Sequence, residues 1–326
     1  MTKDAVLAIL RKENTYLSGE KISRLLGVSR AAVNTAVKAL RAEGYEILSA
    51  TNRGYYLKAV PNSLNANELS ACLGEERMQS VLYLDSVDST NNKLRELALT
   101  DAPDGQIVIA NEQLQGRGRR RREFLSPKDQ GVYLSMLFYP DSLPADTAEI
   151  TAWAAVAVNR AIEAVCGVRA GIKWVNDLVF ARRKVCGILT ELSVESESGY
   201  VQNLIIGIGV NVNEEENDFP TELRDTATSL RMETGTEHSR AQLAAAIIRE
   251  LDALRAAWPQ GKQAYLDAYR RDDITVGKAI TVVHGKEERP AVATAIGEDF
   301  SLLVRYEDGS NASLSGGEIS IRGLYA

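Results

Sequence analysis

Residues 173–192, KWVNDLVFARRKVCGILTEL, decide how the middle of this chain is read. Two apolar runs, LVFA and VCGILTEL, flank a basic turn, and a third, AGIKW, leads into the segment. A fourth, YVQNLIIGIGVNVN, follows at 200–213. Strand candidates joined by such short turns predict an antiparallel or mixed sheet. Alternation along the expected hairpin can aim some of Lys173, Asn176, Asp177 and Lys184 into one cleft. Taken alone, Asp177 reads first as a turn residue. The strand glycines of GIGVNVN mark close approach of another backbone or of a ligand.

Working outward, the pattern alternates. SVLYLDS reads as a strand, STNNKLRELALT as a capped helix, and GQIVIANEQ and GVYLSMLFYP as strands. ADTAEITAWAAVAVNRAIEAVCG is a long apolar helix, and SRAQLAAAIIRELDALRAAW and GKQAYLDAYRRDD are two more. From VGKAITVVHG onward, short strands with Gly, Asn and Asp turns read as a small all-β barrel.

Between two of these strands lies NEQLQGRGRRRREFLSP, with five arginines from Arg117 to Arg122 in a chain of formal net charge −6. Glycine lets backbone approach a ligand, and arginine offers bidentate contacts to carboxylate and phosphate. Such a loop repels itself until an anion binds. Charge alone does not choose between a phosphate ligand, a nucleic-acid patch and a solvated basic surface. The neighbouring DSVDSTNNKL adds a helix N-terminus with backbone donors and the side chains of Ser89, Thr90 and Asn91. For one of those residues simple N-capping is the plain reading.

The bulk of the sequence narrows the chemistry. At 326 residues two or three domains are expected. No run approaches the roughly 18 apolar residues of a membrane span, and the charged N-terminal segment has no signal-peptide core. Three widely spaced cysteines, Cys72, Cys166 and Cys186, fit free thiols in a reducing cytoplasm. With two histidines, no C-x-x-C and no P-loop string, the sequence offers neither a structural zinc motif nor a P-loop. Any catalysis must rest on Lys, Arg, Asp, Asn and backbone groups.

The first 60 residues carry ten Lys+Arg against five Asp+Glu, so this head is net +5 and the remainder −11. A basic head on an acidic body predicts a polyanion partner. KDAVLAILRKEN, SGEKISRLLG and VSRAAVNTAVKALRAEG read as three helices, the last opening on Ser29 as N-cap and ending at Gly44. The segment from about Gly19 to Lys38 is a helix-turn-helix candidate, with Ser29, Arg30, Asn34, Thr35 and Lys38 as the DNA-facing set. YEILSATNRGYYLKA then gives a two-stranded wing. The bland alternative is a small helical domain with a solvated face. VPNSLNANELSACLGEE reads as a linker.

Five strings occur in order: D-S-T-N at 88–91, Q-x-x-G-R-G-R at 113–119, K-W-x-N-D at 173–177, R-K-x-x-G-I-L-x-E at 183–191 and G-x-G-x-N-V-N at 207–213. Together they resemble the biotin protein ligase family, also called biotin–[acetyl-CoA-carboxylase] ligases. With the N-terminal helices the chain is similar to the bifunctional type that doubles as biotin operon repressor. The resemblance covers essentially the whole chain.

That resemblance implies an α+β multidomain protein: a winged helix-turn-helix over 1–64, a mixed-sheet ligase domain of the class II aminoacyl-tRNA-synthetase/biotin-ligase type over 65–272, and an SH3-like barrel over 273–326. It implies formation of biotinyl-5′-AMP from biotin and ATP with Mg²⁺. Transfer to a lysine of a biotin carboxyl carrier domain follows. Ser89, Thr90, Asn91 and Gln113 are expected around biotin, with Gly116, Arg117, Gly118, Arg119 and Lys184. Arg119, Arg120, Phe124, Asn176, Lys184 and Asn211 are expected around ATP or the adenylate, and Lys184, Arg119 and Asp177 in catalysis. Operator DNA is a further partner, and a homodimer is expected to form on adenylate binding. Three departures stand out. Val175 replaces the usual proline, Arg121 a glycine of the loop, and Phe124 a tryptophan. A non-catalytic ligand-sensing regulator and a lipoate–protein ligase are the alternatives.

Overall fold

The computed structural model describes residues 2–13, 15–119, 122–140, 142, 144, 147, 149–195, 197–284, 287–315 and 318–321. The chain forms two compact units, Met1–Ser63 and Leu64–Ala326.

In the first unit, α1 (Thr2–Glu13), α2 (Gly19–Leu26) and α3 (Arg30–Ala42) bury one apolar stripe each. Val6, Leu10, Ile22, Val33, Val37 and Leu40 meet in its core. Ser18 and Ser29 start α2 and α3 by accepting the backbone N–H of Lys21 and Ala32, both at 3.1 Å. Gly27 ends α2 at φ +65°. The strands β1 (Glu46–Ala50) and β2 (Gly54–Ala59) pair antiparallel as the expected hairpin, with Ala50 opposite Gly54. Gly54 admits no side chain: a Cβ there would lie 2.0 Å from the Leu17 carbonyl oxygen.

The second unit is built on seven strands: β3 (Val81–Leu84), β4 (Ile107–Ala110), β5 (Val132–Phe138), β6 (Gly171–Lys173), β7 (Asp177–Phe180), β8 (Arg183–Val194) and β9 (Val201–Val210). Their order is β3-β4-β5-β9-β8-β7-β6. Among the described strands of this sheet only β3 and β4 pair in parallel, so the sheet is mixed, as the short turns predict. The helices are α4 (Ala66–Leu73), α5 (Glu75–Met78), α6 (Thr90–Ala98), α7 (Ile150–Cys166), α8 (Leu230–Thr234), α9 (Arg240–Ala257) and α10 (Lys262–Asp272).

Strand alternation sorts the two faces of the sheet. Ile107, Ile109, Leu134, Met136 and Ile206 join α7 and α9 in the main core. Val108, Leu137 and Ile205 point the other way and pack on Leu94 of α6. Trp153 of α7 stacks on Tyr265 of α10 with ring centroids 4.1 Å apart. A cavity lined by Asn91, Gly187, Leu189, Gly207 and Gly209 lies on the α6 face.

Five further strands close the described chain: β10 (Ala279–His284), β11 (Glu287–Ile296), β12 (Leu302–Tyr306), β13 (Asn311–Leu314) and β14 (Glu318–Ile321). The all-β module expected from the sequence is present. These strands form an antiparallel sheet ordered β13-β12-β11-β10-β14. Closing a barrel requires its two edges to pair, and among the described residues β13 and β14 do not. The sheet instead completes itself against the rest of the unit: Ile280, Ala293, Leu302 and Val304 belong to the same core as α7 and α9. Two hydrogen bonds reinforce the join. The Trp174 indole N–H donates to the Phe300 carbonyl at 2.9 Å, and the Trp174 backbone N–H to Thr275 Oγ1 at 3.0 Å.

Candidate active site

The floor of the cavity is cut from backbone. Register sets Gly187 of β8 opposite Gly209 of β9, and Leu189 opposite Gly207. All four share the α6 face of the sheet. A Cβ at Gly207 would lie 2.2 Å from Asn91 Oδ1, and one at Gly209 2.5 Å from the Phe124 ring. The strand glycines are therefore positions of close approach, as their sequence context predicts.

One end is neutral and tightly hydrogen-bonded. Gln113 Oε1 accepts the backbone N–H of Thr90 at 2.9 Å and its hydroxyl at 3.1 Å, while Gln113 Nε2 donates to Ser126 Oγ at 2.9 Å. Ser89 stands at the N-cap of α6 but makes no side-chain cap bond. The capping expected of a local hydroxyl is thus supplied by a distant amide. Ser135 Oγ lies 2.7 Å from Thr90 Oγ1 and 2.6 Å from Asn91 Oδ1. Ser135 was not anticipated; its one signal is a lone polar residue in the otherwise apolar VYLSMLF.

The roof is the arginine loop, folded as a small hairpin. Gly118 N–H donates to the Arg122 carbonyl at 2.7 Å, and Phe124 N–H to the Gly116 carbonyl at 2.9 Å. Gly116 serves this fold and does not line the cavity: a Cβ there would lie 2.1 Å from the Phe124 carbonyl oxygen. Arg117, Gly118, Arg119 and Phe124 all line it. Arg119 donates to Asn176 Oδ1 at 3.0 Å. The base of the loop is clamped by Arg240, 1% exposed, which donates to Asn111 Oδ1 at 2.8 Å and to Asp129 Oδ1 at 3.3 Å. Arg120 lies outside the described residues.

The other end is cationic. Lys184 Nζ sits 2.8 Å from Asp177 Oδ1 and 5.9 Å from the centroid of the Phe124 ring. Asn176 Nδ2 donates to Asp177 Oδ1 and to the Ile188 carbonyl, each at 3.1 Å. The cavity between floor and roof is small, about 40 Å³, and opens to solvent. A second cleft shares Arg119, Phe124, Asn176 and Lys184 and adds Lys173 and Asp177. Asn211 is set apart. It lines a different cavity with Phe219 and Glu214, and its amide donates to the Thr228 carbonyl at 2.9 Å. Glu214 there is 1% exposed, and burial pushes its carboxyl up to about 7. Burial likewise pushes the Cys186 thiol far up, and Cys166 to about 11, which leaves neither a ready nucleophile.

On the first unit, Arg30, Asn34, Thr35 and Lys38 are exposed along one face of α3, with Ser29 at its start. Gly19 is not on that face; it is half-buried, and a Cβ there would touch the Tyr55 ring at 3.4 Å.

A helix-turn-helix unit and a glycine-floored cavity with cationic side chains at one end define a class: a carboxylate- or phosphate-handling protein that also carries a nucleic-acid-binding helix pair. Residues 83–211 match the Biotin/lipoate A/B protein ligase family, and residues 2–56 match an HTH domain. The bifunctional ligase/repressor BirA of Bacillus subtilis is 41% identical over 242 residues, 74% of either chain. Its namesake in Escherichia coli is 30% identical over 317 residues, 97% of this chain and 96% of that one. The biotin protein ligase of Aquifex aeolicus, solved with biotin and ATP, superposes with a TM-score of 0.63 at 27% identity, covering 74% of this chain and 98% of its own. The chain belongs to the bifunctional biotin ligase/repressor family.

Proposed function

We propose that the protein joins biotin to ATP, giving biotinyl-5′-AMP and pyrophosphate, and passes the biotinyl group to a lysine of a biotin carboxyl carrier domain. The observation that carries this reading is the polarity of the cavity. Neutral donors and acceptors at Ser89, Thr90, Asn91 and Gln113 suit a ureido ring. Lys184 and Arg119 at the far end suit a carboxylate meeting a phosphate.

The chemical problem is repulsion between two anions. The biotin carboxylate oxygen forms a bond to the α-phosphorus as pyrophosphate departs. Lys184 and Arg119 neutralise both partners, and they do so in a cavity roofed against water, where such charges count most. Phe124 stacks on the adenine, with less area than a tryptophan. Gly116, Arg117, Gly118 and Arg120 belong to the loop that closes on the adenylate, and Asn211 attends the nucleotide. In the second step the carrier lysine's amine attacks the acyl carbon and AMP leaves. Asp177, lining the adjoining cleft beside Lys184, orients that amine. Mg²⁺ would arrive bound to the ATP phosphates and supply charge neutralisation there.

The first unit supplies the second activity. Ser29, Arg30, Asn34, Thr35 and Lys38 read operator DNA as a homodimer favoured by bound adenylate, making the protein a biotin-responsive repressor. We divide the chain functionally at 1–64, 65–272 and 273–326, with the last an SH3-like module, and place its work in the cytoplasm. No helix among the described residues is long and apolar enough to cross a membrane.

The test is transfer of biotin to a carrier domain by the wild type and by Lys184→Ala. Absence of labelled carrier with the wild type points to the ligand-sensing regulator. Preference for lipoate in ATP–pyrophosphate exchange points to the lipoate ligase. Operator affinity measured with and without biotin plus ATP tests the switch, and equal affinities discard it.

A further inference from the structure

The string G-I-L-x-E ends in a glutamate to which neither the floor nor the chemistry gives a task. Strand alternation puts Gly187, Leu189 and Glu191 on the same face of β8. The first two line the cavity; the third stands at its rim. Its carboxylate is the most heavily used in that region. Glu191 Oε1 lies 3.1 Å from an Arg117 guanidinium nitrogen. Glu191 Oε2 accepts from Asn91 Nδ2 at 2.8 Å and lies 3.0 Å from a guanidinium nitrogen of Arg95. Arg117 and Arg95 also both donate to Asn92 Oδ1, at 2.9 and 3.0 Å. One carboxylate therefore joins the loop, the first turns of α6 and a residue of the cavity wall.

We propose that Glu191 is a positioning residue that latches the arginine loop to α6 over the cavity through Arg117. The same contacts fix the Asn91 amide, whose oxygen is held by Ser135 and whose nitrogen is held by Glu191. Arg117 is thus the loop's tether, while Arg119, two residues on, faces the cationic end. The latch itself is independent of which ligand binds. Its consequence for catalysis, retention of the activated acyl group, rests on the ligase reading above.

The arginines provide the probe. In the full chain without ligand, trypsin cleavage after Arg119 to Arg122, followed by mass spectrometry, reports loop opening. Glu191→Gln is expected to speed that cleavage roughly fivefold relative to cleavage elsewhere in the chain, as loss of an ionic partner at a partly exposed site implies. Glu191→Asp falls between. Arg117→Gln matches Glu191→Gln, and the double variant adds nothing further. With biotin, ATP and a carrier domain, Glu191→Gln shifts label from the carrier to bystander lysines. Loop cleavage at the wild-type rate in Glu191→Gln, or additive effects in the double variant, overturns the latch. A wild type that labels no carrier overturns the ligase reading instead and leaves the cleavage result standing.

Discussion

The floor and the roof of the cavity are held by different forces. The floor is sheet: Gly187, Leu189, Gly207 and Gly209 are fixed by the β8–β9 ladder, and no side chain is needed to keep them there. The roof is a hairpin docked by side chains, Arg117 to Glu191 and Asn92, Arg119 to Asn176, with Arg240 under its base. A ladder fails only when the sheet fails. A side-chain dock can be undone one contact at a time. Damage to the floor should therefore abolish the reaction, and damage to the roof should let it leak.

The largest effect expected is from the cationic end of the floor. Lys184→Ala should lower carrier biotinylation by about 10³-fold, since it removes a preorganised charge beside the reacting anions. A loss below tenfold in single-turnover assays would break the assignment of chemistry to the floor. Next, Gly207→Val drives a side chain into Asn91, where even a Cβ would lie 2.2 Å from Oδ1. Biotin binding by calorimetry should weaken roughly 10- to 100-fold, with α6 retained by circular dichroism. Arg119→Gly should act differently. Adenylate forms more slowly, because Arg119 also neutralises the reacting anions, but more of what forms escapes, so the ratio of bystander to carrier labelling rises; an unchanged ratio would show that the roof does not seal.

The smallest effect on activity is expected from Glu214, which touches neither. Its carboxyl is raised from 4.5 to about 7 by burial. Between those values the folded chain keeps a proton that the unfolded chain has lost. Stability therefore falls as pH rises across that window and is level above it. The cumulative cost is on the order of 3 kcal/mol. Glu214→Gln should flatten the urea midpoint from about pH 5 to 7 while leaving the labelling ratio at its wild-type value.

Much of this was legible in the sequence. Ser18 and Ser29 as caps, Gly27 as a stop, the wing turn and the run β6 to β9 follow from local turn and capping chemistry. The cavity residues from Ser89 to Lys184 were gathered through the ordered motifs. What escaped depends on partners far apart in the chain. Gln113 caps α6 from 23 residues away, and Glu191 meets Asn91 across 100. Arg240 reaches Asn111 across 129. Local pattern carries no record of such pairings. The C-terminal module is legible only in part for the same reason: short strands and turns announce antiparallel β structure, whereas closure into a barrel depends on whether two distant edges meet.

The bonds from Trp174 to Phe300 and Thr275 bear on how small this enzyme can be made. They seat the turn that presents Asn176 and Asp177. A fragment trimmed before residue 273 would keep every motif yet lose that seat, with the Trp174 indole N–H left without its acceptor. Attempts to shorten or split the chain should spare the last fifty residues and cut instead at the join between the two units, near Ser63.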